Sequence, residues 1–270
     1  MQRYKSKRQK LDGMDWPFRS RTVNRTNDDL VDRIAQQEIW NVTRPSLPVT
    51  DARVIAAMRR VDRRKFIPEE ATVWPAEEYH LFGADVPNEE IEVPAKACAY
   101  ADLPVPIGKQ MTCSQPSLVA YMIQLLEVEP GMKVLEIGSG CGYAAAILGE
   151  LGAQVVGVER ILSVLCLGQE NISAQFRERW PKPVSLLWWN GFHGFPSEAP
   201  YDRVLISAQP PDGPDEFNSG VLAEQLREHT GMIVFPKDSL VQHRYDRGTL
   251  VERKYEPQIC FVPLVGQGRE

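Results

Sequence analysis

The second half of the chain alternates between short apolar runs and stretches with helical spacing. Runs of strand length cover Lys133–Ile137, Gln154–Val158, Val184–Trp188, Asp202–Ser207 and Gly231–Phe235, and two more lie at Ser239–Tyr245 and Lys254–Pro263. Helical spacing covers Tyr143–Leu151, Leu165–Phe176 and Val221–Glu228. Buried strands separated by helices predict a parallel sheet, because each crossover needs a helix to return the chain to the same edge. No helix separates the last two runs, so they predict an antiparallel hairpin closing one edge.

The first half is organised differently. Asp28–Gln37 repeats apolar residues at Leu30, Val31 and Ile34, and Ala52–Val61 does so at Val54, Ile55 and Met58, with Thr50 or Asp51 placed to cap it. Arg63 to Pro68 ends that helix. Residues 71–98 are rich in acids and proline and hold no steady period, which predicts a long surface excursion of the kind that serves as a lid or mobile segment. Residues 99–116 are punctuated by proline and glycine and lead into a helix at Ser117–Leu126. The expected organisation is a basic arm over residues 1–26, a helical layer over 27–126 interrupted at 71–98, and an α/β core over 127–270 integrated with that layer.

Candidate chemistry centres on Val134-Leu135-Glu136-Ile137-Gly138-Ser139-Gly140-Cys141-Gly142, followed by Glu159 at the end of the next apolar run. Glycines let a ligand approach the backbone and permit positive φ. An acid about 20 residues beyond the first glycine is placed to accept hydrogen bonds from ribose hydroxyls. The spacing selects among nucleosides. A dinucleotide turn needs a third glycine where Tyr143 stands, and the Gly-Lys-Ser/Thr of a phosphate loop is absent. The order Glu-x-Gly-x-Gly-x-Gly suits a ligand without phosphates, and resembles the first motif of S-adenosylmethionine-dependent methyltransferases. The fold class expected is therefore α/β, a Rossmann-like doubly wound, mostly parallel sheet with an antiparallel edge hairpin and a helical N-terminal layer.

Composition narrows the partners. The chain has 270 residues, 43% of them apolar, and a formal charge of −5. An acidic chain with pI about 5.6 disfavours general nucleic-acid binding. Residues 1–26 nevertheless carry eight Lys/Arg against two Asp, which makes the rest more acidic still; such an arm reads first as a solvated terminus. The five cysteines (Cys98, Cys113, Cys141, Cys166 and Cys260) are odd in number and lack metal spacing, so reduced thiols in a cytoplasmic protein are expected. No metal is expected, and no apolar run reaches membrane length.

Further stretches extend the likeness to one methyltransferase family. Pro104-Val105-Pro106-Ile107-Gly108 precedes Thr112-Cys113-Ser114-Gln115-Pro116, and Phe261-Val262-Pro263-Leu264 lies near the C-terminus. Asp51-Ala52-Arg53-Val54, Arg64-Lys65-Phe66-Ile67-Pro68, Asn190-Gly191 and Ala199-Pro200-Tyr201-Asp202 add to it. Together these resemble the protein-L-isoaspartate O-methyltransferase family over about residues 28–265. The resemblance implies a carboxyl O-methyltransferase using S-adenosylmethionine, acting on the α-carboxylate of L-isoaspartyl residues in damaged proteins or peptides. The methyl ester would close to a succinimide, whose hydrolysis returns some normal aspartate. A dedicated enzyme with one specific peptide substrate, or a non-catalytic cofactor-binding adaptor, are the alternatives.

By that resemblance Ser114 takes the active-site hydroxyl position. Thr112, Cys113, Glu136, Gly138, Ser139, Gly140, Gly142, Glu159, Asn190 and Gly191 fall on the cofactor side, and Pro106, Ile107, Gly108 and Val262 on the substrate side. Structural roles compete for several. Ser114 could cap the helix that follows it. Glu136 could face the cofactor's ammonium or receive turn amides. Asn190 departs from the family's usual Asp, so its amide carbonyl must do the accepting from the adenine amino group. Trp188 and Trp189 read as core residues. Gln209-Pro210-Pro211-Asp212 lacks the aromatic needed to stack a flipped base, which disfavours nucleobase methylation. His80, His193, His229 and His243 are scattered and read as surface or core residues.

Overall fold

A computed structural model describes residues 23–36, 48–74, 84–87, 89–179, 181–210, 219–228, 230–237, 239–246 and 249–255. Most of the basic arm, Cys260, the C-terminal Phe261–Leu264 stretch and His80 and His229 therefore lie outside the described residues.

The centre is a seven-stranded sheet. In chain order its strands are β5 (Lys133–Ile137), β6 (Gln154–Glu159), β7 (Val184–Trp188), β8 (Arg203–Ile206), β9 (Met232–Pro236), β10 (Leu240–Asp246) and β11 (Thr249–Tyr255). Their spatial order is β11-β10-β9-β8-β5-β6-β7. β5 to β9 are mutually parallel, while β10 runs antiparallel to β9 and β11 to β10, which closes one edge as a hairpin. The last strand is displaced from its expected place. It spans Thr249–Tyr255 rather than starting at Lys254, with Asp246 paired to Thr249 and Leu240 to Tyr255. β11 is almost wholly exposed, so it lacks the apolar signal by which a strand is read.

Helices cover both faces: α4 (Tyr143–Glu150), α5 (Leu162–Gln175) and the short α6 (Ser219–Ala223). α4 is buried at seven of its eight positions. Ile147 and Leu148 are fully buried there, each worth about 1.5–3 kcal/mol relative to exposure. α6 stops at Ala223, short of the expected Glu228, because Leu226 leaves the helix to bridge Tyr201.

The N-terminal layer comprises α1 (Asn27–Ala35), α2 (Ala52–Arg60) and α3 (Pro116–Leu125). Thr26 and Asp29 form a reciprocal cap on α1, and Asp51 caps α2 through Arg53 N. Residues 23–26 thus belong to the packed fold rather than to an arm. Asn24 Nδ2 donates to Tyr100 O. Gln124 on α3 accepts from Thr50 N and Asp51 N, which fixes the start of α2 against α3.

One expectation needs correction here. The excursion at 71–98 is not purely superficial: β1 (Thr72–Val73) pairs with β2 (Val93–Pro94), and Val73, Ala84, Ala95 and Cys98 are buried. Residues 99–116, punctuated by proline and glycine, contain a hairpin. β3 (Val105–Gly108) pairs with β4 (Met111–Cys113) around Lys109 and Gln110, both at positive φ, with a register shift between Pro106 and Gly108. No helix among the described residues is long and apolar enough to cross a membrane.

Candidate active site

The crossovers place β8 on one side of β5 and β6 on the other, which makes the C-terminal end of β5 the point where the winding reverses and where such sheets bind ligands. An open cleft lies there. Its walls come from Ile137, Gly138 and Gly140 at the end of β5, from Val158 to Ile161 at the end of β6, from Trp189 to Gly191 after β7, and from Ser207 and Ala208 after β8. The β3–β4 hairpin covers it with Ile107, Met111 and Thr112.

The turn itself is held by backbone bonds. Gly138 N and Ser139 N both donate to Val158 O, and Gly142 N donates to Ser139 O. Gly138, Gly140 and Gly142 all sit at positive φ, and their purposes differ. A Cβ on Gly138 would reach Ala208 at 3.6 Å, on the cleft wall. A Cβ on Gly142 would meet Ile172 at 3.0 Å and Gly168 O at 3.3 Å, so this glycine lets α4 pack against α5. Gly191 is required by packing too, since its Cβ would fall 2.7 Å from Ile137.

Glu159 is buried at the cleft wall, with both carboxylate oxygens engaged. Oε2 accepts from Gly140 N at 3.2 Å and Oε1 from Ile161 N at 2.9 Å. One side chain thus ties the glycine turn to the β6–α5 loop, and each oxygen keeps a lone pair for a further donor. Glu136 lies beneath. Its Oε1 accepts from Ser207 Oγ at 2.9 Å, and Oε2 is buried without a partner. Burial pushes the Glu136 carboxyl up to about 8, opposed by the Ser207 hydrogen bond and reinforced by the negative charge of Glu159. Asn190 Oδ1 is spent on Phe192 N at 3.2 Å, capping a single turn at Gly191–His193.

Not every expected residue reaches the cleft. Ser139 is buried under the turn, and a Cβ on Gly157 would touch it at 3.0 Å. Cys113 is buried, and Gly108 lies exposed at the hairpin tip. Neither they nor Pro106, Glu136, Gly142 and Ser114 are among the lining residues. Val262 lies outside the described residues. Ser114 follows β4 directly and is half-buried. It does not cap α3. Gln115 holds that position, and the cap comes from a distance: Asp102 accepts from Ser117 N at 2.8 Å, from Ser117 Oγ and from Gln115 Nε2. Among the described residues the Ser114 hydroxyl makes no hydrogen bond of its own.

Several lining residues escaped the sequence reading. Ser207 and Ala208 could have been found from the rule that ligands sit beyond parallel strand ends. Trp188 and Trp189 are not core residues. Trp188 is two-thirds exposed with its Nε1 on Arg160 O, and Trp189 stacks edge-on against Phe195 at the cleft rim. His193 is exposed and His243 buried beside Glu252. Cys98, Cys113 and Cys141 are buried free thiols, and Cys166 is exposed. No metal-binding cluster of His, Cys, Asp or Glu occurs among the described residues.

A switch-point cleft with a glycine turn, an acid at the second strand end and no phosphate loop defines a Rossmann-like methyltransferase using S-adenosylmethionine. Comparison with known proteins narrows the class. A family model described as protein-L-isoaspartate(D-aspartate) O-methyltransferase matches residues 84–269, and the chain belongs to that family. Curated relatives named protein-L-isoaspartate O-methyltransferase include one from Methanopyrus kandleri, 33% identical over 89% of this chain and 95% of its own. Another, from Methanoregula boonei, is 36% identical over 81% of this chain and 87% of its own. Among solved structures, a Plasmodium falciparum protein assigned the same activity and crystallised with S-adenosyl-L-homocysteine superposes with a TM-score of 0.64. It covers 90% of this chain and 99% of its own at 20% identity, a likeness that speaks to the fold.

Proposed function

We propose that this protein transfers a methyl group from S-adenosylmethionine to the α-carboxylate of L-isoaspartyl residues in damaged proteins or peptides. The observation that carries the reading is the β3–β4 hairpin. It brings Met111 and Thr112 over the nucleoside cleft and delivers Ser114 at its exit. The donor set fits the cofactor. Gly138 and Gly140 leave the turn open to the methionine part, and Glu159, on the cleft wall, has acceptor capacity for ribose hydroxyls. On this reading Gly191 and Asn190, which line the cleft, take the adenine side. When bound, the cofactor supplies a methyl group on a positive sulfur.

The acceptor needs no base. An α-carboxyl titrates near about 3.3–3.7 and is ionised at neutral pH. What remains for the protein is to orient one oxygen and exclude water. The uncommitted hydroxyl of Ser114 can donate to that carboxylate and hold it without neutralising it. The ends of the 71–98 excursion pack beside β3, the strand carrying Pro106 and Ile107. That placement favours restricted access for acceptor peptides, and hence a dedicated substrate as the second reading.

The test uses methyl-labelled cofactor with paired peptides that differ only in an aspartyl or isoaspartyl linkage. Base-labile label on the isoaspartyl member alone is expected. Equal labelling of both, or none on isoaspartyl peptides of varied flanking sequence, would refute the proposal.

A further inference from the structure

Arg63 is fully buried, yet its guanidinium forms no ion pair among the described residues. Its donors go to backbone carbonyls from two separate segments. Nη1 donates to Ala99 O at 2.7 Å and Ala101 O at 3.0 Å. Nη2 donates to Leu103 O at 2.8 Å, Cys113 O at 3.0 Å and Ser114 O at 3.1 Å. Nε is buried without a partner. Asp102, the carboxylate buried in the same layer, is committed to Ser117 and Gln115 at the start of α3. Five carbonyls converging on a buried cation are an expensive arrangement, since the charge is desolvated. Beside these oxygens it meets the Cys113 thiol, which a hydrogen bond from Cys141 and the Arg63 charge hold below the ordinary thiol range. A hydrophobic side chain would fill the space at lower cost.

We infer that Arg63 is the positioning residue of the acceptor side: it clamps the 99–103 loop to the exit of β4, and so sets where the Ser114 hydroxyl stands. The inference rests on the proposed carboxylate methylation. A planar five-donor fork suits this task, because it fixes the directions of several carbonyls at once. The positive charge also lies directly behind Ser114, whose carbonyl oxygen it meets at 3.1 Å. It favours an anionic acceptor there without donating a hydrogen bond that would dull the nucleophilic oxygen.

The experiment compares Arg63→Lys and Arg63→Met with the wild-type enzyme. Three quantities are read: kcat and KM for an isoaspartyl peptide, the Kd of S-adenosylhomocysteine, and the relative affinity of the enzyme saturated with S-adenosylhomocysteine for isoaspartyl peptide over its α-carboxamide analogue. A misplaced Ser114 predicts kcat/KM lower by about 100-fold in R63M, while the Kd of S-adenosylhomocysteine changes less than about threefold. R63K keeps the charge and loses the fork, so it retains the carboxylate preference while kcat stays depressed; R63M loses both. Should R63M fail to fold, R63K alone decides: wild-type kcat in R63K overturns the inference. A folded R63M with unchanged kcat/KM and preference overturns it equally. So does a parallel loss of cofactor affinity, which marks a merely structural residue. A wild-type enzyme that methylates no isoaspartyl peptide sinks the proposed function first, and is distinguishable from these outcomes.

Discussion

Replacing Glu136 by Gln isolates the cost of a buried carboxyl beneath the cleft. The side chain is 1% exposed, and burial places its titration at about 8 against an ordinary 4.5. That gap corresponds to about 5 kcal/mol of differential stability between the two protonation states. Between pH 4.5 and 8 the native carboxyl holds a proton that the unfolded chain has released. Stability therefore falls as pH rises across that window; the contribution is whole below it and gone above it. The amide is nearly isosteric, and its Oε1 can keep the 2.9 Å bond from Ser207. Urea unfolding of both proteins at pH 5, 6, 7 and 8.5 reads the difference, and other titrating groups cancel in it. E136Q should gain on the wild type by several kcal/mol from pH 5 to 8.5, on the order of the 5 kcal/mol above. A difference that is flat across that range, or that runs the other way, would refute the argument, because the carboxyl would then be ionised in the native state at no cost. If the cofactor's ammonium settles against this carboxyl, its binding at pH 6.5 should release close to one proton, measurable by calorimetry in buffers of different ionisation enthalpy.

Glu159→Gln weakens two charge-assisted bonds that join the glycine turn to the β6–α5 loop, so cofactor Kd should rise by about 10- to 100-fold by calorimetry. Gly142→Ala places a Cβ 3.0 Å from Ile172 at φ +84, and should lower unfolding free energy by about 1–3 kcal/mol in urea melts. Asn190→Asp keeps one oxygen for Phe192 N and turns a second acceptor, rather than an amide donor, toward the cleft; cofactor Kd should fall by about 3- to 10-fold, and an unchanged value would place the adenine elsewhere.

What the chain reveals by itself divides along sequence distance. β5, the glycine turn, α4 and β6 are contiguous, and each is written by a local period or by glycine, so their existence could be read without the fold. The three glycines look alike in sequence and differ in three dimensions. Gly138 faces the cleft wall, whereas Gly142 is a glycine because Ile172, thirty residues on, needs the space. Trp188 and Trp189 illustrate the same limit. Alternation predicts opposite faces, but only the sheet order shows that β7 is an edge strand, where neither face is deep.

The acceptor side was the least legible part because its organising contacts are long-range. The turn of the β3–β4 hairpin contains Lys109 and Gln110 at positive φ rather than Asn-Gly, so it carries no hairpin signature. The cap of α3 comes from Asp102, fifteen residues before the amide it receives. Ser114 therefore owes its place neither to a local turn nor to a cap of its own. It is set by Asp102 from the helix side and by Arg63 from the backbone side. A motif that spells out Ser-Gln-Pro can mark such a position, but the residues that hold it there are scattered over fifty positions upstream. On the proposed reading of Ser114, loss of function is accordingly to be sought in Arg63 and Asp102 as much as in Ser114 itself.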